Sequence, residues 1–129
     1  MDDRAVHTRW TGGMRAVTQA GGFEIVVDEP ESSGGTNTGP QPTDLLLASI
    51  SSCFALAMAY VANKRGIELL GLEVKAVGTY DGPRFARIAM SVTSGSPTEV
   101  LARLMPEAER LCYVSNTLLR QPELIIDLG

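Results

Sequence analysis

The chain has 129 residues, 44% of them hydrophobic and 20% charged, with a formal net charge of −4. This allows one soluble domain with a real core and excludes a disordered chain. The basic residues are scattered from Arg4 to Arg120 without forming a patch, which argues against nucleic acid as a partner.

The opening Met-Asp-Asp-Arg lacks a basic region followed by an apolar run, so no secretory signal is expected and the cytoplasm is the expected location. Residues 4–10, 14–19 and 23–28 read as a three-stranded meander broken by Thr11-Gly12-Gly13 and Ala20-Gly21-Gly22. From Glu29 to Gln41 the chain turns to Pro, Ser, Gly, Thr and Asn, an irregular arm. Its Gly34 to Gly39 stretch is not followed by the Gly-Lys-Ser/Thr of a phosphate loop, so an ordinary loop is expected.

Pro42 to Arg65 is the one long, strongly apolar helix. Pro42 suits the first helical position, Asp44 the first turn, Lys64 and Arg65 the last, and Gly66 stops it. Leu45 to Ala62 carries no charge and reaches the lower limit of a membrane span. Ser49, Ser51, Ser52 and Cys53 at its centre, and strand-like segments on both sides, argue instead for a core helix buried on nearly every face. A chain this short has difficulty covering such a helix alone, which points to a dimer sharing it.

Leu69 to Tyr80 and Arg84 to Thr93 alternate as a hairpin around Asp81-Gly82-Pro83. Ser96-Pro97-Thr98-Glu99 has the spacing of a capping box opening a helix to about Met105. Pro106 is expected to restart a helical segment through Cys112, Ser115-Asn116 to cap a further turn, and Glu123 to Leu128 to form a last strand. The fold class is α+β with antiparallel sheet, in a single domain over residues 1–129.

Cys53 and Cys112 are the only cysteines. They lie too far apart for zinc-site spacing, and a lone His7 does not complete one, so no metal is expected. Three readings follow: buried core thiols, a structural disulfide (disfavoured in a cytoplasmic chain), or a nucleophile with its resolving partner.

Thr36-Asn37-Thr38-Gly39-Pro40-Gln41-Pro42-Thr43-Asp44-Leu45-Leu46-Leu47-Ala48, running into Ser51-Ser52-Cys53, resembles the signature of the OsmC/Ohr family, the osmotically inducible and organic hydroperoxide resistance proteins. Cys112-Tyr113-Val114-Ser115-Asn116-Thr117-Leu118 is similar to that family's Cys-Pro-Val-Ser-Asn-Thr-Leu, with Tyr113 where Pro is usual. The resemblance runs from about Trp10 to the end. It implies an intertwined homodimer, two sheets wrapped around paired central helices and two active sites at the subunit interface. It further implies a cofactor-free thiol peroxidase for organic hydroperoxides, with Cys53 as nucleophile, Cys112 as resolving partner, and a lipoyl protein or thioredoxin-like dithiol as reductant.

A free thiol of pKa about 8.5 is mostly protonated at pH 7, so a fast peroxidase needs a nearby cation. The family's hydroperoxide-resistance branch places an Arg directly after a Gly-Gly pair; here Met14 follows Gly12-Gly13 and Arg15 comes one step later. On a strand that step reverses the face. The arm contains no Arg, where the OsmC branch often carries one, and Arg9, Arg84 and Arg87 are further candidates. Asp44 stands for the family's Glu, about half a helical turn off the face of Cys53. These departures suggest a distinct OsmC-like sub-branch, or, as the alternative, a non-enzymatic stress-associated dimer holding a small apolar ligand at its interface.

Overall fold

The computed structural model describes residues 2–129 as two units, one reaching to Leu46 and the other running from Leu47 to Gly129. Helix α1, Pro42–Lys64, begins in the first and continues through the second.

In the first unit, β1 (Val6–Gly12), β2 (Arg15–Ala20) and β3 (Phe23–Val27) form an antiparallel sheet in chain order. Trp10 pairs with Ala16 and Gly12 with Arg15, a register shift that bulges the β1–β2 end. Gly12 and Gly13 turn there with φ of 109° and 56°, conformations that side-chain-bearing residues rarely adopt. The Trp10 indole N–H donates to the Gly13 carbonyl at 2.9 Å and closes the turn.

The arm that follows is a folded loop built on Asp28. This carboxylate is 1% exposed and accepts from the Thr36 and Thr38 hydroxyls, both at 2.6 Å, and from the backbone N–H groups of Glu29, Thr36 and Thr38. Those bonds, the threonine hydroxyls first, hold its pKa far below the ordinary aspartate range although burial opposes them. Gly35 lies against the Glu29 carbonyl so closely that a Cβ would overlap it.

Helix α1 starts with the reciprocal half of a capping box: Asp44, at the third helical position, accepts the Gln41 N–H at 3.0 Å. It ends in a Schellman turn, with Gly66 at φ 69°, Gly66 N–H to Asn63 C=O and Ile67 N–H to Ala62 C=O. The serines are accommodated because Ser51 and Ser52 donate back to the Leu47 and Ala48 carbonyls, hiding their polarity in the helix itself.

In the second unit, β4 (Glu73–Tyr80) and β5 (Phe85–Thr93) form a separate antiparallel ribbon. Its helices are α2 (Thr98–Leu111) and α3 (Tyr113–Leu119). The core joins Phe54, Ala57, Met58, Val61 and Ala62 of α1 to Leu101, Leu104 and Ala108 of α2, with Cys112 among them and Val74, Met90 and Val92 of the ribbon packed against it. Lys64 and Arg65 at the end of α1 both pair with Glu107 of α2, lowering its pKa, with the Lys64 bond the larger cause.

Several expectations are corrected. The α+β class with antiparallel sheet holds, as two small sheets among the described residues, but β4 starts at Glu73 because residues 69–72 form an irregular approach to it. Ser96 does not cap α2; its hydroxyl accepts the Leu70 N–H at 2.9 Å, and Pro97 stands at the cap position. α2 runs through Pro106 without a break, since proline's φ suits a helix and the carbonyl it frees belongs to the exposed Ala102. Residues 123–128 form no strand: Leu124, Ile125, Ile126 and Leu128 are exposed and have no ladder partner among the described residues.

Within one chain α1 is buried on one face only, and Leu46, Leu56 and Tyr60 stand open. The helix is long and apolar enough by length and composition to cross a membrane. Its buried face instead supplies half of the core just described.

Candidate active site around Cys53

Cys53 lies midway along α1, at the edge between the buried stripe of Ile50, Phe54, Ala57 and Met58 and the open face of Ser52, Leu56 and Tyr60. It is half-buried and free, and its inner side packs against the core cluster that contains Cys112. Outward it lines a groove of about 1030 Å³. Leu56 and Tyr60 continue the α1 wall, Arg110 and Leu111 come from the end of α2, Tyr113 and Asn116 from α3, and Arg120 closes the rim.

Cys112 occupies the one-residue joint between α2 and α3. Its φ of −77° and ψ of 103° are extended, which ends one helix and starts the next. Its side chain is 0% exposed, and its thiol too is free.

The joint is locked by Asn116, whose amide donates to the carbonyls of Glu109, Arg110 and Cys112 at 3.3, 3.0 and 2.9 Å. Ser115 adds a hydroxyl bond to the Cys112 carbonyl at 3.2 Å. The expected Ser115-Asn116 cap is thus corrected: Cys112 stands at the start of α3, and Asn116 reaches back to cover the end of α2. Tyr113, where the related motif has Pro, is 84% exposed at the groove.

Cys53 and Cys112 therefore share one core cluster, the first half-buried at its edge and the second fully buried within it. Asp44 and Arg15 have local partners. The Asp44 carboxylate covers the start of α1, and the Arg15 guanidinium donates to the Thr11 hydroxyl at 3.2 Å, across the β1–β2 end. Arg9 is exposed on β1, Arg87 exposed on β5, and Arg84 pairs with Asp81 at the hairpin turn.

The cations that line the groove are Arg110 and Arg120, which sequence reasoning missed. A signal existed, since Arg110 stands two residues before the Cys112 motif. No cluster of three His, Cys, Asp or Glu side chains able to hold a metal occurs among the described residues.

Comparison with known proteins places this α+β fold in a family. The model of the OsmC-like protein family matches residues 35–127, and the chain belongs to that family. An uncharacterised protein of Haloferax volcanii is 28% identical over 122 residues, spanning 92% of this chain and 89% of its own. The crystal structure of an OsmC-like protein from Mycoplasma pneumoniae superposes with a TM-score of 0.75 at 15% identity, over 93% of this chain and 89% of that one. That of an organic hydroperoxide resistance protein OsmC from Legionella pneumophila does so with a TM-score of 0.63 at 19% identity, over 94% and 91%. At these identities the structures establish the shared OsmC-like fold.

Proposed function

We propose that this chain, as a single OsmC-like domain, is a cytoplasmic thiol peroxidase for organic hydroperoxides, acting as a homodimer. The observation that carries the reading is that a half-buried Cys53 lines the groove and packs against the core cluster in which Cys112 is fully buried. The name of the Legionella relative supports the substrate class.

The Cys53 thiolate attacks the distal oxygen of the hydroperoxide; the O–O bond breaks, and the departing alkoxide takes a proton and leaves as the alcohol. Cys53 is left as a sulfenic acid. The Cys112 thiol then attacks that sulfur, water leaves, and a disulfide joins the two. An external dithiol, a lipoyl protein or thioredoxin-like partner, reduces it and is itself oxidised. The resolving step requires the two Cα atoms to come within roughly 4.4–6.8 Å.

A dry resolving thiol suits this sequence, because a second equivalent of peroxide has no path to it. The open face of α1, with Leu56 at 71% exposure, is where a second copy would pack, placing the groove at the subunit boundary.

The size of the groove favours one alternative, a non-enzymatic dimer that binds a small apolar ligand. Intact-mass spectrometry of the reduced protein after a small excess of cumene hydroperoxide separates the two. A rapid loss of about two mass units within one chain, absent in Cys53→Ser, supports the peroxidase. A thiol pair unchanged under conditions that oxidise a free small thiol refutes it.

A further inference from the structure

The joint between α2 and α3 puts Cys112 at a point where the chain has a second course open to it. The α2 ladder reaches Cys112, whose N–H donates to the Ala108 carbonyl at 3.0 Å. The α3 ladder starts from the same residue, with the Asn116 N–H donating to the Cys112 carbonyl at 3.1 Å. Only the extended backbone of Cys112 separates the two helices. Were that residue helical, Thr98 to Leu119 would run on as one helix. The Tyr113 N–H would then bond to the Glu109 carbonyl and the Val114 N–H to that of Arg110.

The related Cys-Pro motif forbids this course covalently. Proline has no N–H to give, and it disfavours a helical conformation for the residue before it, here the cysteine. Tyr113 restores the N–H and lifts that restriction. What blocks the continuous helix is the Asn116 side chain. Its amide donates to the Glu109 and Arg110 carbonyls at 3.3 and 3.0 Å, the two acceptors such a helix would need. α2 itself is fixed independently: Leu104 and Ala108 are fully buried, and Glu107 ties it to Lys64 and Arg65 at the end of the helix that carries Cys53. α3 has no buried residue of its own.

We propose that Asn116 is a positioning residue for the resolving step. By occupying the Glu109 and Arg110 carbonyls it keeps the joint kinked, and the kink holds Cys112 within reach of the Cys53 sulfur. It acts through Cys112 and touches no substrate. The proposal rests on the peroxidase reading in taking Cys112 for the resolving thiol. In that cycle a slowed Cys112 leaves the Cys53 sulfenic acid to a second hydroperoxide. This gives up its distal oxygen, departs as the alcohol and leaves an inactive sulfinic acid.

The test treats the reduced protein with dipyridyl disulfide and no hydroperoxide. The Cys53 thiolate attacks the reagent's S–S bond and releases one pyridinethione. The Cys112 thiol, losing its proton, then attacks the Cys53 sulfur of the mixed disulfide, expels the second pyridinethione and closes the Cys53–Cys112 bond. The first release scales with reagent concentration and the second does not, so absorbance separates them. Asn116→Ala should keep the first rate within about twofold and slow the second about ten- to hundredfold, the cost of a misplaced reacting group. Asn116→Ala/Tyr113→Pro should regain most of the second rate, because proline enforces the kink without the amide and Tyr113 is not part of the core cluster. Loss of stability alone would not slow the second release while sparing the first.

A second release as fast in Asn116→Ala as in the parent, a proline that restores nothing, or a parent that releases fewer than two pyridinethiones overturns the proposal. Should Asn116→Ala not fold, Tyr113→Pro alone decides. It should slow native labelling of Cys112 by a maleimide about two- to fivefold, and equal labelling overturns the proposal. A protein whose second release follows Asn116 but whose thiols resist cumene hydroperoxide would refute the peroxidase reading and leave the role of Asn116 standing.

Discussion

Asn116→Ala should loosen the joint that holds Cys112. Asn116 donates to the Glu109, Arg110 and Cys112 carbonyls, but an amide has only two hydrogens, so the three contacts amount to about two full bonds, one of them shared. At about 0.5–1.5 kcal/mol net for each bond, the loss is about 1–3 kcal/mol. Alanine's better helix propensity within α3 returns about half a kcal/mol.

The net expectation is a destabilisation of about 1–2 kcal/mol, read as a lower urea midpoint at unchanged slope. If the opening is local, the same energy should speed labelling of the buried Cys112 by a thiol reagent about 5- to 30-fold under native conditions, with Cys53 labelling unchanged. Asn116→Asp is the sharper control. It preserves shape but sets a carboxylate against three carbonyl oxygens, so it should be worse than Ala. An Asp variant as stable as the parent, or an Ala variant whose Cys112 labels no faster, would show that the amide is not what locks the joint.

Two further perturbations address other parts of the molecule. The Asp28 carboxylate has a folded pKa far below its unfolded value of about 3.9, so its stabilisation is fully present above about pH 5 and is lost as pH falls through the acid range. Asp28→Asn should lower the thermal midpoint at pH 7 and flatten the dependence of stability on pH below about 5; parallel pH curves for variant and parent would sink that account. Ala59→Glu places a charge on the exposed face of α1, away from the groove lining. It should convert the proposed dimer to a folded monomer by light scattering, whereas an unchanged dimer would assign the interface elsewhere.

The elements that local chemistry specifies were legible in the chain. The meander was marked by paired glycines that must adopt positive φ, and the hairpin by alternation around Asp81-Gly82-Pro83. α1 was marked by its apolar run, Pro42 at the start and Gly66 at the stop. Cys53 and Cys112 stood out because each sits in a recognisable stretch of neighbours, and the fold brings both to one core.

What tertiary structure alone decided were the partners of polar groups across loops and joints. Thr36 and Thr38 look like loop residues until Asp28 is placed between them. Ser96 has a cap residue's spacing, yet Leu70, which is 26 residues earlier, offers it a better-placed N–H. Asn116 looks like the start of a turn, and becomes the clasp of the helix that precedes it.

The cations of the site belong to the same class. Which arginine meets a thiol depends on how helices pack, and helix packing follows apolar stripes that carry no information about the charges on their flanks. Even the last strand obeys this division. Leu124 to Leu128 have the composition of a strand, but a strand exists only where another edge accepts its hydrogen bonds, and no ladder partner takes them among the described residues. Sequence determined which segments want to be helix or strand and where the thiols sit, because those are properties of neighbouring residues. Partners across space were decided by the fold, because only it sets the distances on which hydrogen bonds and charges depend.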